Sequence, residues 1–83
     1  MIQKPILELD IHGCTSEEAK SKIDQILLTA GTGVYKIRII HGFNRGNRLQ
    51  KMIYDEYEYF GNDKVIKLRG GENPGITELI LRE

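Results

Sequence analysis

Apolar and polar positions alternate from Ile6 onward. Leu7, Leu9 and Ile11 share one face and Glu8, Asp10 and His12 the other, which is the period-two pattern of a strand. The spacing then turns helical. Ala19, Ile23, Ile26, Leu27 and Ala30 recur at helical intervals, and Thr15 with Glu18 three places later has the form of a capping box. A helix is expected from there until Gly31 ends it. Beyond the Gly31-Thr32-Gly33 turn, the β-branched run Tyr35 to His41 predicts a second strand, with Tyr35, Ile37 and Ile39 alternating with Lys36 and Arg38. A glycine-bearing loop leads to a second helical stripe, Leu49, Met52, Ile53, Tyr57 and Phe60, closed by Gly61 and Asn62. Val65 to Leu68 predicts a short third strand and Ile76 to Leu81 a fourth, separated by the turn chemistry of Gly70, Gly71 and Asn73-Pro74-Gly75.

The expected order is β-α-β-α-β-β. Strands joined through a single helix usually lie parallel, with right-handed crossovers, whereas the short last connection reverses the chain. The pattern therefore predicts an α/β fold, an α+β sandwich with a four-stranded mixed sheet and an antiparallel last strand, as one domain over residues 1–83. Strand order stays open, and with it whether the helices cover one face of the sheet or both.

Composition narrows the function classes. A chain of 83 residues buries only about 60% of its unfolded surface, which favours a surface groove over a deep cavity. With 40% apolar and 29% charged residues, it has the balance of an ordinary globular domain. No apolar run approaches the roughly 20 residues of a membrane span, and the first residues lack the apolar core of a signal peptide, so no membrane partner and a cytoplasmic location are expected. The lone Cys14 cannot form an internal disulfide, which agrees with a reducing compartment.

Net charge is zero, but its distribution is uneven. Between Gln25 and Tyr54 there is no Asp or Glu, while Lys36, Arg38, Arg45, Arg48 and Lys51 supply five positive charges. Such a stretch predicts a basic face, with Lys36, Arg38, Arg48 and Lys51 as phosphate contacts. An ordinary solvated surface would have the same composition.

Parallel strands bring their carboxyl ends to one edge, where helix N-termini also point, so an anionic ligand is expected there. Strand one ends in Asp10-Ile11-His12-Gly13, strand two in His41-Gly42-Phe43-Asn44-Arg45-Gly46 and strand three in Arg69-Gly70-Gly71. Both histidines thus fall at one location. A histidine pair can offer one neutral base and one charged acid, as cleavage of a phosphodiester through a ribose hydroxyl requires. Asp10 would orient His12, Arg45 would neutralise phosphate, Gly42 and Gly46 would let the backbone approach it, and Arg69 would add a nucleic-acid contact. Each residue taken singly has an ordinary explanation: a glycine turn, a surface histidine, a cap on the first helix. Their convergence carries the reading. A Cys14 nucleophile and a zinc site of His12, Cys14 and His41 are weaker alternatives, since the spacing matches no strong metal motif. Tyr54, Tyr57 and Tyr59 read as helix-face packing residues.

At these same residues the chain resembles the Smr (small MutS-related) domain family. Leu9-Asp10-Ile11-His12-Gly13 matches an L-D-x-H-G segment in full. His41-Gly42 and Gly46 match an H-G-x-G-x-G-like loop in which Asn44 replaces the middle glycine and Leu49 falls one place late. Asn73-Pro74-Gly75-Ile76-Thr77 looks like the N-P-G-x-T turn of small stand-alone members. The resemblance implies a fold similar to the C-terminal domain of bacterial translation initiation factor 3. It also implies DNA or RNA as partner, nicking or cleavage as the activity, and Asp10 and His12 as the residues implicated in it. A module that docks on nucleic acid or a ribosome without cutting is the alternative, and a protein partner a third. No cofactor is implied, and dependence on a divalent metal is left open.

Overall fold

The computed structural model describes residues 5–42 and 46–82. Its elements are β1 (Ile6–Asp10), α1 (Ser16–Thr29), β2 (Lys36–Ile40), α2 (Arg48–Tyr54) running on into a π-helical segment (Asp55–Tyr59), β3 (Lys67–Gly70) and β4 (Ile76–Ile80). The four strands form one sheet in the order β1-β2-β4-β3. β1 and β2 are parallel, and β4 runs antiparallel to both β2 and β3. The expected mixed sheet is therefore present, with β4 inserted between β2 and β3.

This order settles the layering. The crossovers β1–α1–β2 and β2–α2–β3 both step the same way along the sheet, and two right-handed crossovers that step the same way lay their helices on the same face. The burial pattern agrees. Ala19, Ile23 and Leu27 of α1, Leu49 and Ile53 of α2, and Tyr57 form one core with Ile11, Val34, Ile37, Ile39, Leu68 and Leu79. Full burial of each large aliphatic chain contributes about 1.5–3 kcal/mol.

Local chemistry fixes the helix ends. Thr15 and Glu18 form the expected capping box, each side chain accepting from the other's backbone N–H. At the opposite end of α1, Lys64 Nζ donates to the Leu27 carbonyl at 2.7 Å, a cation where the helix dipole favours one. Tyr57 ties the π-helical segment to α1 through its hydroxyl, which donates to Asp24 Oδ1 at 2.5 Å. Burial, and then that bond, push the Tyr57 hydroxyl well above its ordinary pKa.

Two expectations are corrected. Phe60 was expected on the core stripe of the second helix, yet it is 72% exposed and stacks edge-on against Tyr59, which is itself exposed rather than packed. The cause is the π turn, in which Phe60 N–H bonds to the Asp55 carbonyl. Each wider turn takes up an extra residue, so the stripe Leu49, Ile53, Tyr57 ends there. The third strand, expected over Val65 to Leu68, pairs over Lys67–Gly70 instead, because Asn62 and Val65 are held in a tight turn by the Asn62 side chain.

The other face of the sheet carries a row of alternating charge, Glu8, Arg38, Glu78 and Arg69, one residue from each strand in register. Next to it lies the row Ile6, Lys36, Ile80 and Lys67.

Candidate active site at the carboxyl edge of the sheet

β3 is antiparallel to β4 and β4 to β2, so β1, β2 and β3 all point the same way. Their carboxyl ends therefore meet at one edge, together with the turn that enters β4. The backbone N–H groups of His41 and Gly42 both donate to the Gly75 carbonyl, at 2.9 and 3.0 Å, which joins the β2 end to the Asn73-Pro74-Gly75 turn. α1 and α2 both begin at this edge.

The first strand end makes a dyad. Asp10 Oδ1 accepts from His12 Nδ1 at 2.5 Å and from the His12 backbone N–H at 3.0 Å. With the proton on Nδ1, neutral His12 keeps Nε2 as a free lone pair. The ring is 72% exposed, so that nitrogen is open to solvent. The hydrogen bonds from the His12 ring and backbone hold the Asp10 carboxyl below its usual range, and the nearby Lys22 adds to the effect.

The second strand end is built differently. His41 is 6% exposed, with Nδ1 donating to the Gly42 carbonyl at 2.8 Å and Nε2 paired with the Thr77 hydroxyl at 2.8 Å. The Gly42 bond fixes the proton of the neutral ring on Nδ1, leaving Nε2 to accept from Thr77, itself fully buried. The expected acid–base role of His41 does not fit this arrangement, since both nitrogens are engaged and the ring faces the core. Parity explains it: Ile37, Ile39 and His41 are successive inward positions of β2, whereas His12 follows the outward Glu8 and Asp10.

Gly42 nonetheless lies against the dyad. Its φ is +77°, and a Cβ there would stand 3.7 Å from His12 Cβ, so the turn needs glycine for its backbone and seats the loop beside the imidazole. Gly46, at φ +87°, opens α2 for the same backbone reason. Arg45, expected on phosphate, lies outside the described residues, as does Asn44.

The expected basic face is divided by the sheet. Lys36, Arg38 and Arg69 lie on the face away from the helices, where acids meet them. Arg38 reaches Glu8 at 3.1 Å, Glu72 at 3.6 Å and Glu78 at 3.9 Å, Lys36 reaches Glu78 at 3.4 Å, and Arg69 reaches Glu78 at 3.3 Å. Arg48 and Lys51 stand on α2, exposed and with no ion pair to another described residue. A run of sequence that alternates between strand faces and then enters a helix cannot keep its charges together. Lys22 was missed: its Nζ lies 3.4 Å from Cys14 Sγ, at the same edge as Asp10. Its position seven residues after the Thr15 cap, two turns along the same helix face, is the signal that marks it.

Among the described residues no three His, Cys, Asp or Glu side chains group as a metal site, so His12, Cys14 and His41 do not make one. Nor is any described helix long and apolar enough to cross a membrane.

Comparison with known proteins agrees with this architecture. The sequence matches the Smr domain family over residues 9–70, three quarters of the chain and including both histidine-bearing strand ends. The chain belongs to the Smr domain family. Among solved structures, this Smr domain is similar to the Smr domain of Thermus thermophilus MutS2. The TM-score is 0.78 and the identity 26%, over 93% of this chain and 99% of that one. No curated protein matches.

Proposed function

We propose that this Smr domain cleaves nucleic-acid phosphodiesters, with His12 as general base and Asp10 as its positioning residue. The observation that carries the reading is the Asp10–His12 bond at 2.5 Å, which in the neutral ring holds the proton on Nδ1 and leaves Nε2 as the open nitrogen of an exposed imidazole beside Gly42. Nε2 takes the proton of the attacking hydroxyl, either a ribose 2′-hydroxyl or water, as the new O–P bond forms. The imidazolium so produced faces the Asp10 carboxylate, and the departing oxygen takes a proton from the imidazolium or from solvent. Lys22 and Arg48 offer positive charge at that edge, where the substrate phosphate sits.

The test is cleavage of labelled single-stranded RNA and of supercoiled DNA, each with and without magnesium. The natural chain is expected to cut one of them, and His12→Ala to lower the rate by about 10²–10⁴-fold. Equal cutting by the two chains would sink the assignment.

A second reading, a module that binds nucleic acid without cutting it, is favoured by one specific observation: the withdrawal of His41 into the core removes the second acid–base group from the edge. Salt-sensitive binding with no cutting on either polymer would establish it.

A further inference from the structure

The second helix ends in an exposed aromatic pair that has no part in the cleavage site. Tyr59 is 82% and Phe60 72% exposed, and their rings meet edge to face with centroids 5.2 Å apart. A single exposed apolar residue is ordinary on a protein surface, whereas two large rings in contact form a platform. This one is held rigidly. Phe60 N–H donates to the Asp55 carbonyl at 2.9 Å, and the buried Tyr57 within the same segment is tied to Asp24 of α1 at 2.5 Å. The π turn is what brings Phe60 out of the core stripe, and such turns inside helices recur at functional sites.

The charge around the platform is of one sign. From Met52 to Asp63 the chain has four acids, Asp55, Glu56, Glu58 and Asp63, and no base. Glu56 lies 3.8 Å from Lys20. Asp55, Glu58 and Asp63 are exposed and make no ion pair with another described residue. The two bases that bound this stretch do not neutralise it: Lys51, a turn before Asp55, forms no ion pair with it, and Lys64 Nζ is engaged by the Leu27 carbonyl. The platform also stands apart from the dyad. α2 begins at the carboxyl edge, and its seven residues and the five of the π segment carry Tyr59 roughly 15–18 Å from there.

Exposed carboxylates repel a phosphate polymer and an anionic bilayer alike, and a two-fold dimer through this patch would set acid against acid. The complementary ligand is a cationic polypeptide. An Arg guanidinium stacks on an aromatic face while its forked donors pair with a neighbouring carboxylate, a combination that the point charge of Lys does not reproduce. We infer that the Tyr59–Phe60 platform is a docking site for an arginine-rich segment of a partner protein, with guanidinium groups stacked on the two rings and paired with Asp55 and Glu58. The site is independent of the cleavage chemistry. It lies at the far end of α2, so a basic protein held there leaves Asp10 and His12 open.

The experiment is fluorescence anisotropy with labelled oligo-arginine, oligo-lysine and oligo-glutamate peptides of equal length. Each is read across a salt series against the natural chain, a Tyr59→Ala, Phe60→Ala double variant and an Asp55→Asn, Glu58→Gln double variant. Oligo-arginine should bind the natural chain, oligo-lysine should bind it several-fold more weakly, and oligo-glutamate should not bind. The aromatic variant keeps every charge, yet it should lose about tenfold in affinity for oligo-arginine. The acidic variant should lose affinity and show a flatter salt dependence. Both pairs are exposed, so each variant should keep the urea midpoint of the natural chain. In amide NMR spectra, oligo-arginine should shift residues 55–63 and leave His12 and Gly42 in place. Equal binding of oligo-arginine by the natural chain and the aromatic variant, shifts centred elsewhere, or no binding at all overturns the docking site. Self-association in sedimentation velocity that Tyr59→Ala, Phe60→Ala abolishes would make a second copy the occupant and overturn the arginine-rich partner.

Discussion

The two strand ends that close this domain's carboxyl edge look alike in sequence and differ in structure. β1 leads into Ile11-His12-Gly13 and β2 into Ile40-His41-Gly42, and the parallel register sets them one position out of step. Asp10 pairs with Ile40, so His41 is level with Ile11 and Gly42 with His12. One histidine therefore projects into solvent beside a carboxylate, while the other lies under the sheet against Thr77. A histidine at a strand end stands open to solvent or buried in the core according to which side of the sheet its position faces, and a shift of one residue exchanges the two.

The sharpest way to break this comparison is to remove each ring in turn and read activity beside stability. His12→Ala is expected to abolish most cleavage while moving the urea midpoint by no more than about 0.5 kcal/mol of stability, because its side chain is exposed. His41→Ala should do the reverse. It opens a cavity and leaves the buried Thr77 hydroxyl and the half-buried Gly42 carbonyl without their partner, and should cost about 2–4 kcal/mol in urea unfolding. If His41→Ala were as stable as the natural chain, its burial would not have the structural meaning given to it.

Asp10→Asn sharpens the comparison within the exposed site. The amide can present either an oxygen or an NH2 to Nδ1, so the imidazole loses its fixed tautomer and the charge that faces it in the imidazolium form. Cleavage should fall about tenfold or more, with binding of the same substrates unchanged. A matched loss of binding would move Asp10 from positioning to architecture.

The smallest effect is the pH dependence of stability. Asp10, Asp24 and Glu18 are all held below their ordinary values: Asp10 by the His12 bonds, Glu18 by the Thr15 bonds, and Asp24, despite burial that opposes the shift, by bonds from Lys20 and Tyr57. Depressed carboxyls contribute stability above their unfolded values of 3.8 and 4.5 and lose it as pH falls through the folded ones, so the acid limb should lie below about pH 4. Lys20, raised by its bond to Asp24, and Tyr57, raised by burial, contribute stability below their unfolded values of 10.5 and 10.0 and lose it as pH climbs past them. Asp24→Asn should flatten the alkaline limb and leave the His12 site untouched.

Much of this was legible along the chain. The alternation in β1, the Thr15–Glu18 box and the β-branched run of β2 specify their elements by local chemistry, and the strand ends named the edge where Asp10 and His12 sit. The basic stretch was misleading for a physical reason. Adjacency along the chain says nothing about acids brought in from other strands, and Glu78 of β4 and Glu8 of β1 meet Lys36 and Arg38 only once the sheet is formed. The burial of His41 was readable in principle from the parity of Ile37 and Ile39, but its Thr77 partner was not, because 36 residues separate them.

The sequence by itself determined the element order, the family motifs and the Asp10–His12 dyad, since all three depend on neighbours within a few residues or on hydrophobic periodicity. Tertiary structure alone decided that β4 enters between β2 and β3 and that the cations of one sequence run part to opposite sides of the sheet. Those outcomes depend on pairing and packing between distant segments, which local propensity does not encode.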